Sequence, residues 1–143
     1  MSYTYKYPMI FLTVDIIVFD INTVEKKVLL IQRDKAPFEG HWAFPGGFVD
    51  IDETFEVAAA RELHEETGLK NVSLKQFYSF SAIDRDPRHR TVSVVYYGFV
   101  DKGNNNVKAG DDARDAVWFS LDDLPDLAFD HNEILQKMIK TLK

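Results

Sequence analysis

The chain has 143 residues, 45% hydrophobic and 28% charged, a length and balance that suit one packed domain over residues 1–143. With no cysteine it excludes a disulfide framework, thiol catalysis and cysteine-bound zinc. Its 17 Lys and Arg against 23 Asp and Glu give a net charge of −6, which disfavours a phosphate polymer, so no nucleic-acid partner is expected.

The first apolar stretch, residues 9–21, is interrupted by Asp15 and is too short to span a bilayer. The opening MSYTYKYP lacks the apolar run of a signal peptide, so the expectation is a soluble, cytoplasmic chain without a membrane partner. β-Branched and aromatic residues predict a strand over 10–19, and a second apolar run over 28–31 predicts a hairpin across 22–27. Two prolines and three glycines in 34–47 predict a loop. Asp52, Glu53 and Thr54 open a helix expected to run to Thr67, with Gly68 as its stop.

A strand follows over 73–83, then a charged turn, DRDPRHR, around Pro87. TVSVVYYGFV (91–100) is the clearest strand, expected to be buried on both faces in its second half. A polar loop spans 103–112 and a short strand 116–119. Asp130 is placed to cap a last helix over 131–142, with Ile134, Leu135, Met138 and Leu142 as its apolar stripe. Strands, helix, strands, helix in that order imply an α/β (α+β) sandwich around a mixed sheet.

The chemistry concentrates in GFVDIDETFEVAAARELHEETGL, residues 47–69. On a helix, Glu65 lies about 60° to one side of Glu62 and Glu66 about 40° to the other, so the three carboxylates share a face. Crowded carboxylates repel and raise one another's pKa values unless a cation intervenes. Hard oxygen donors without cysteine favour Mg²⁺, with Mn²⁺ as a substitute. Glu53 and Arg61 are spaced to pair along the helix side, Leu63 points to the core, and the alanines 58–60 allow close approach to other backbone.

Acidic residues at such spacing ordinarily form a solvated face. The full pattern, G-x5-E-x7-R-E-L-x-E-E-x-G-L, sets them apart: it resembles the Nudix box at Gly47, Glu53, Arg61, Glu62, Leu63, Glu65, Glu66, Gly68 and Leu69. The resemblance implies a Nudix-type α/β/α sandwich that cleaves a nucleoside diphosphate linked to another moiety. It further implies that Glu62, Glu65 and Glu66 are catalytic metal ligands, joined by the Gly47 carbonyl, with Glu53 and Arg61 orienting them. The base is Glu62 in some relatives and an acidic residue of a later loop in others; here the loop candidates are Asp111 and Asp112, then Asp84 and Asp86.

LLIQRDKAPFEGHWAFPGGFVD, DRDPRHRTVSVVYYGFV and LAFDHNEIL are similar to the ADP-ribose pyrophosphatase-like branch of that family, and Pro87 falls near where ADP-ribose hydrolases carry a proline. The resemblance therefore implies a small-molecule nucleotide, ADP-ribose first, cleaved to AMP and ribose 5-phosphate. Arg33 is a candidate phosphate clamp, and Arg88, His89 and Arg90 place further cations near the same cleft. Trp42, Phe44 and Phe80 are candidates either for stacking on adenine or for the core, and His131 either for capping the last helix or for touching substrate.

Two rivals stand beside this reading: a nucleoside triphosphate pyrophosphohydrolase, and a ligand-sensing Nudix domain without turnover. Sensor regulators of this kind carry a winged helix after the domain, for which no length remains here, and the intact box argues for turnover. A homodimer is possible, with Tyr3, Tyr5 and Tyr7 packing on a partner or folding back on the sheet.

Overall fold

The computed structural model describes residues 4–21, 26–104, 107, 108, 110 and 113–142. Among the described residues seven strands form one mixed sheet: β1 (Phe11–Asp20), β2 (Lys27–Arg33), β3 (Trp42–Ala43), β4 (Gly46–Phe48), β5 (Lys75–Phe80), β6 (Thr91–Val100) and β7 (Ala113–Ser120). Helix α1 (Phe55–Thr67) follows β4, and α2 (His131–Leu142) follows β7.

At the centre, β1 runs parallel to β6 along its whole length, from Phe11 opposite Thr91 to Asp20 opposite Val100. The other edge of β1 is shared by two antiparallel partners, β4 at Thr13–Asp15 and β2 at Phe19. Beyond them β2 pairs with β3 and β7, and β5 closes the far edge on β6. The hairpin expected across 22–27 is thus present only as one β1–β2 register pair, Phe19 with Val28, and residues 22–25 lie outside the described residues.

The alternation of β1 explains the sandwich. Val14, Ile16 and Val18 face the cluster that contains Ala58, Ala59 and Leu63 of α1. Ile17 and Phe19 face the opposite cluster with Ile134, Leu135 and Met138 of α2. A strand that is apolar on both faces must be covered on both, and these two helices cover it. The Tyr96 hydroxyl, on β6, donates to the Glu56 carboxylate and ties the first turn of α1 to the sheet.

Several expectations need correction. The loop expected over 34–47 contains β3 and the start of β4, strands of two and three residues that show no period of their own. The unbroken buried run of β6 is Ser93–Tyr96; in its second half only one face is buried, with Phe99 exposed on the other. Ala60 is exposed, unlike Ala58 and Ala59. Leu142 also lies outside the buried stripe of α2. The carboxylate of Asp130, expected to cap α2, forks instead with the Arg85 guanidinium at 2.7 and 2.9 Å. Tyr5 and Tyr7 are 58% and 68% exposed, so they do not fold back on the sheet; Tyr3 lies outside the described residues.

Candidate active site

Helix α1 is delimited by local chemistry. Thr54 is its N-cap, accepting the Val57 N–H at 3.2 Å, and Gly68 ends it with φ of 79°, a left-handed conformation that glycine adopts without a Cβ penalty. Beyond Gly68 the chain returns to the same end: the Lys108 N–H donates to the Thr67 carbonyl and the Gly110 N–H to that of Glu66. That return brings Gly110 against Glu65 and Glu66. The next two residues, the candidate bases Asp111 and Asp112, lie outside the described residues.

Arg61 organises the glutamates. Its Nε and Nη2 donate to Glu53 at 2.6 and 2.8 Å, and its Nη1 to Glu62 at 2.8 Å and Glu65 at 3.2 Å. Nη2 also reaches the Phe48 carbonyl at 3.1 Å, which fastens β4 to the helix. These contacts lift Arg61 far above its usual pKa, the Glu53 hydrogen bonds contributing most. Burial pushes the Glu62 carboxyl up, Arg61 draws it down, and neighbouring Glu65 and Glu53 push it up again.

Among the described residues, no three His, Asp or Glu side chains stand in metal-holding geometry. Glu62 and Glu65 turn to Arg61, whereas Glu66 Oε2 faces the Gly46 N–H at 3.4 Å. The residues nevertheless fit a hard divalent cation. Every donor is oxygen, and Gly47 lies so close to the Glu62 carboxylate that a Cβ would sit 2.6 Å from its Cδ and Oε1. The backbone of Gly47 therefore borders the carboxylate directly.

Glu53 carries a pH prediction. Hydrogen bonds from Arg61 and the Asp50 N–H hold it at about 2, below its ordinary 4.5. The folded pKa is the lower one, so the contribution of this contact is present above pH 4.5 and is lost as pH falls through about 2. Glu53→Gln is expected to flatten the acid limb of a melting-temperature profile across that window. An unchanged limb would show that the pair adds nothing to folding.

Beside the carboxylates lies a cavity of about 210 Å³. Gly47, Phe48 and Glu66 border it from the box, Gly46 from just before it, and Arg33, Arg88 and Phe129 from three other segments. The Arg33 and Arg88 guanidiniums lie 4.9 and 5.7 Å from the centre of the Phe129 ring, within cation–π reach. Phe129 has φ of 53°, and Phe38, whose ring meets it edge-on at 5.0 Å, has φ of 61°. Such backbone is costly for a bulky side chain and marks places where the surroundings impose a conformation.

Burial and the charge of Arg88 lower the Arg33 pKa, against the pull of Asp86, Glu66 and Asp15. An anion between the two guanidiniums relieves that repulsion. Burial alone would raise Asp86, but its fork with Arg88 at 2.8 and 3.0 Å outweighs that, and the carboxyl sits below its usual value.

Of the residues singled out from sequence, Arg33, Phe44, Gly47, Glu66, Asp86, Arg88 and His131 meet at the cavity. Trp42 does not: its half-buried ring packs against the α2-side core, 4.7 Å from Phe119. Arg90 is not among the residues lining the cavity, and its enclosed Nη1 has no hydrogen-bond partner among the described residues. Asp84 is exposed and outside the lining, and Asp86 is held by Arg88. His131 lines the cavity but is 4% exposed, with its ring stacked on Phe44 at 4.7 Å. Phe129 and Asp15 were not assigned to the site from sequence; the signals were the position of Phe129 inside LAFDHNEIL and the charge of Asp15 within an apolar strand.

A mixed sheet between two helices, with a glutamate-rich helix beside a cavity lined by both arginines and carboxylates, defines an α/β/α sandwich with a charged cleft. Residues 9–142 match the NUDIX domain family, and the chain belongs to it. It is 44% identical to an ADP-ribose pyrophosphatase of Methanocaldococcus jannaschii over 116 residues, which are 81% of this chain and 68% of that protein. It is 35% identical to the ADPR responsive transcriptional repressor NtrR of Acinetobacter baylyi, over 95% of this chain and 56% of the repressor. Its fold superposes with a TM-score of 0.89 on the NUDIX domain of Shewanella oneidensis NrtR in complex with ADP ribose, at 31% identity, covering 99% and 95% of the two chains.

The family and the 44% identity to a pyrophosphatase support a Nudix pyrophosphohydrolase, and divalent metals are general in such hydrolases. The chain spans little more than half of the repressor, and this likeness lends no support to the expected absence of nucleic acid. Among the described residues, no helix is long and apolar enough to cross a membrane.

Proposed function

We propose that residues 1–143 act as a single cytoplasmic Nudix domain that hydrolyses ADP-ribose to AMP and ribose 5-phosphate with Mg²⁺, or Mn²⁺ in its place. The observation that carries this reading is the cavity shared by Glu66 and Gly47 with the paired cations Arg33 and Arg88, in a chain 44% identical to an ADP-ribose pyrophosphatase. Glu62, Glu65 and Glu66, with the Gly47 carbonyl, would hold the ion. When bound, it supplies positive charge against the pyrophosphate.

The protein supplies position and charge. Glu53 fixes Arg61, and Arg61 sets the rotamers of Glu62 and Glu65. Arg33, with Nε anchored on the Pro37 carbonyl at 2.8 Å, directs the rest of its fork to phosphate oxygens; Arg88 adds the second charge. The proton of the attacking water goes to Glu62, or to Asp111 or Asp112.

A hydrolysis panel tests this: ADP-ribose, other nucleotide sugars, dinucleotides and nucleoside triphosphates with Mg²⁺, products identified. AMP and ribose 5-phosphate released fastest from ADP-ribose is the expected result, and faster triphosphate cleavage would move the chain to the other enzymatic class. Arg33→Ala is expected to raise KM by about 10-fold or more with a smaller change in kcat, because it removes a ground-state contact. An unchanged KM would confine Arg33 to a structural role.

The likeness to an ADPR-responsive repressor favours a second reading, a sensor of the same ligand. ADP-ribose binding without turnover, measured calorimetrically with Mg²⁺ present, would select it.

A further inference from the structure

The segment 44–47 joins β3 to the box, and each of its residues is held by a different contact. The Phe44 N–H donates to His131 Nδ1 at 3.1 Å, and the Pro45 carbonyl accepts the Ile16 N–H at 2.8 Å. The Gly46 N–H faces Glu66, and Gly47 lies against Glu62. Three of these contacts belong to β1 or α1, the elements nearest the carboxylates. The fourth comes from the first residue of α2, 87 positions away in sequence.

The histidine is itself enclosed, with Asp15 beside it. Because Nδ1 accepts a backbone N–H, the imidazole is the neutral tautomer with its proton on Nε2. Nε2 lies 3.7 Å from Asp15 Oδ1, and the other oxygen of Asp15 receives the Ser93 hydroxyl. Asp15 is the register partner of Gly46, and a Cβ on Gly46 would sit 2.5 Å from Asp15 Oδ1. All four of Asp15, Phe44, Ser93 and His131 are buried. Burial also holds the imidazole below its ordinary pKa despite Asp15 and Asp130 nearby, in keeping with the neutral ring.

We propose that His131, backed by Asp15, is a positioning residue of the carboxylate centre: it holds the Phe44 N–H and thereby sets where the Gly47 carbonyl stands relative to Glu62 and Glu66. This rests on the reading that Gly47 and the box glutamates hold a divalent ion. Its consequence is that the segment leading into α2, which presents Phe129 to the cavity and Asp130 to Arg85 just before His131, couples the ligand-facing loops to the metal-holding segment.

The test compares wild type with His131→Leu, which lacks the acceptor, and His131→Asn, whose Oδ1 takes the place of Nδ1. Binding of Mn²⁺ alone is followed by water proton relaxation, kcat and KM are measured on ADP-ribose, and melting curves report folding. His131→Leu is expected to weaken Mn²⁺ binding and lower kcat by roughly 10- to 100-fold, with KM for ADP-ribose little changed. His131→Asn is expected to recover most of both.

A folded Leu variant with unchanged Mn²⁺ affinity overturns the proposal. So does an equal loss in Leu and Asn variants with a raised KM, which would place the ring on substrate. If His131→Leu does not fold, Asp15→Asn decides: about 10-fold weaker Mn²⁺ binding supports the proposal, and unchanged binding overturns it. Wild-type protein that binds Mn²⁺ but does not turn over ADP-ribose would defeat the substrate reading alone, since the Mn²⁺ titration still decides the role of His131. Wild-type protein that binds no Mn²⁺ would overturn both the metal assignment and this proposal.

Discussion

Glu66→Gln is expected to lower kcat by about two orders of magnitude or more while leaving the fold intact. Glu66 is the one box carboxylate that lines the cavity, and its carboxylate is not engaged by Arg61 in the way those of Glu62 and Glu65 are. Glutamine keeps the size of the side chain, and its amide oxygen can still accept the Gly46 N–H that Oε2 faces at 3.4 Å. The substitution removes the charge that would hold a divalent cation. The variant should melt close to wild type. Turnover equal to wild type at saturating Mg²⁺ would sink the assignment of Glu66 as a metal ligand.

Gly46→Ala is expected to give a large loss of stability, about 3 kcal/mol, with a fall in melting temperature of roughly 10 °C. The added Cβ would lie 2.2 Å from the Val14 carbonyl oxygen and 3.0 Å from the Asp15 Cα, both backbone atoms of the central strand. Neither can yield without breaking the pairing of β4 with β1 at Asp15 and Gly46. Urea unfolding, with the midpoint lowered at unchanged slope, would read this as a loss of native-state stability. A melting temperature within about 2 °C of wild type would show that β4 is not packed so closely on β1.

The box helix was legible because its information is local. Thr54, Leu63, Gly68 and the glutamates act through spacings of a few residues, and the observed helix runs from Phe55 to Thr67. The Glu53–Arg61 pair was legible for the same reason. That Arg61 also reaches Glu62, Glu65 and the Phe48 carbonyl was not, because spacing does not choose a rotamer. Asp15 looked like an interruption of an apolar strand; its partners Ser93 and His131 lie 78 and 116 residues further on. Trp42 was named for its chemistry, yet strand pairing turned its ring to Phe119 and the core.

The amino-acid sequence by itself determined the family, the box helix with its carboxylates on one face, the clearest strand at Thr91–Val100 and the final helix, since each is written in a run or period of neighbouring residues. Only the tertiary structure decided that Arg33, Arg88 and Phe129 share one cavity, that β3 and β4 exist, and that the start of α2 grips the segment leading to Gly47. Those features depend on segments far apart in the chain, brought together by the parallel pairing of β1 with β6 and the helices packed on either face. No local pattern records such convergence, because its stabilisation comes from burial between the segments rather than from any one of them.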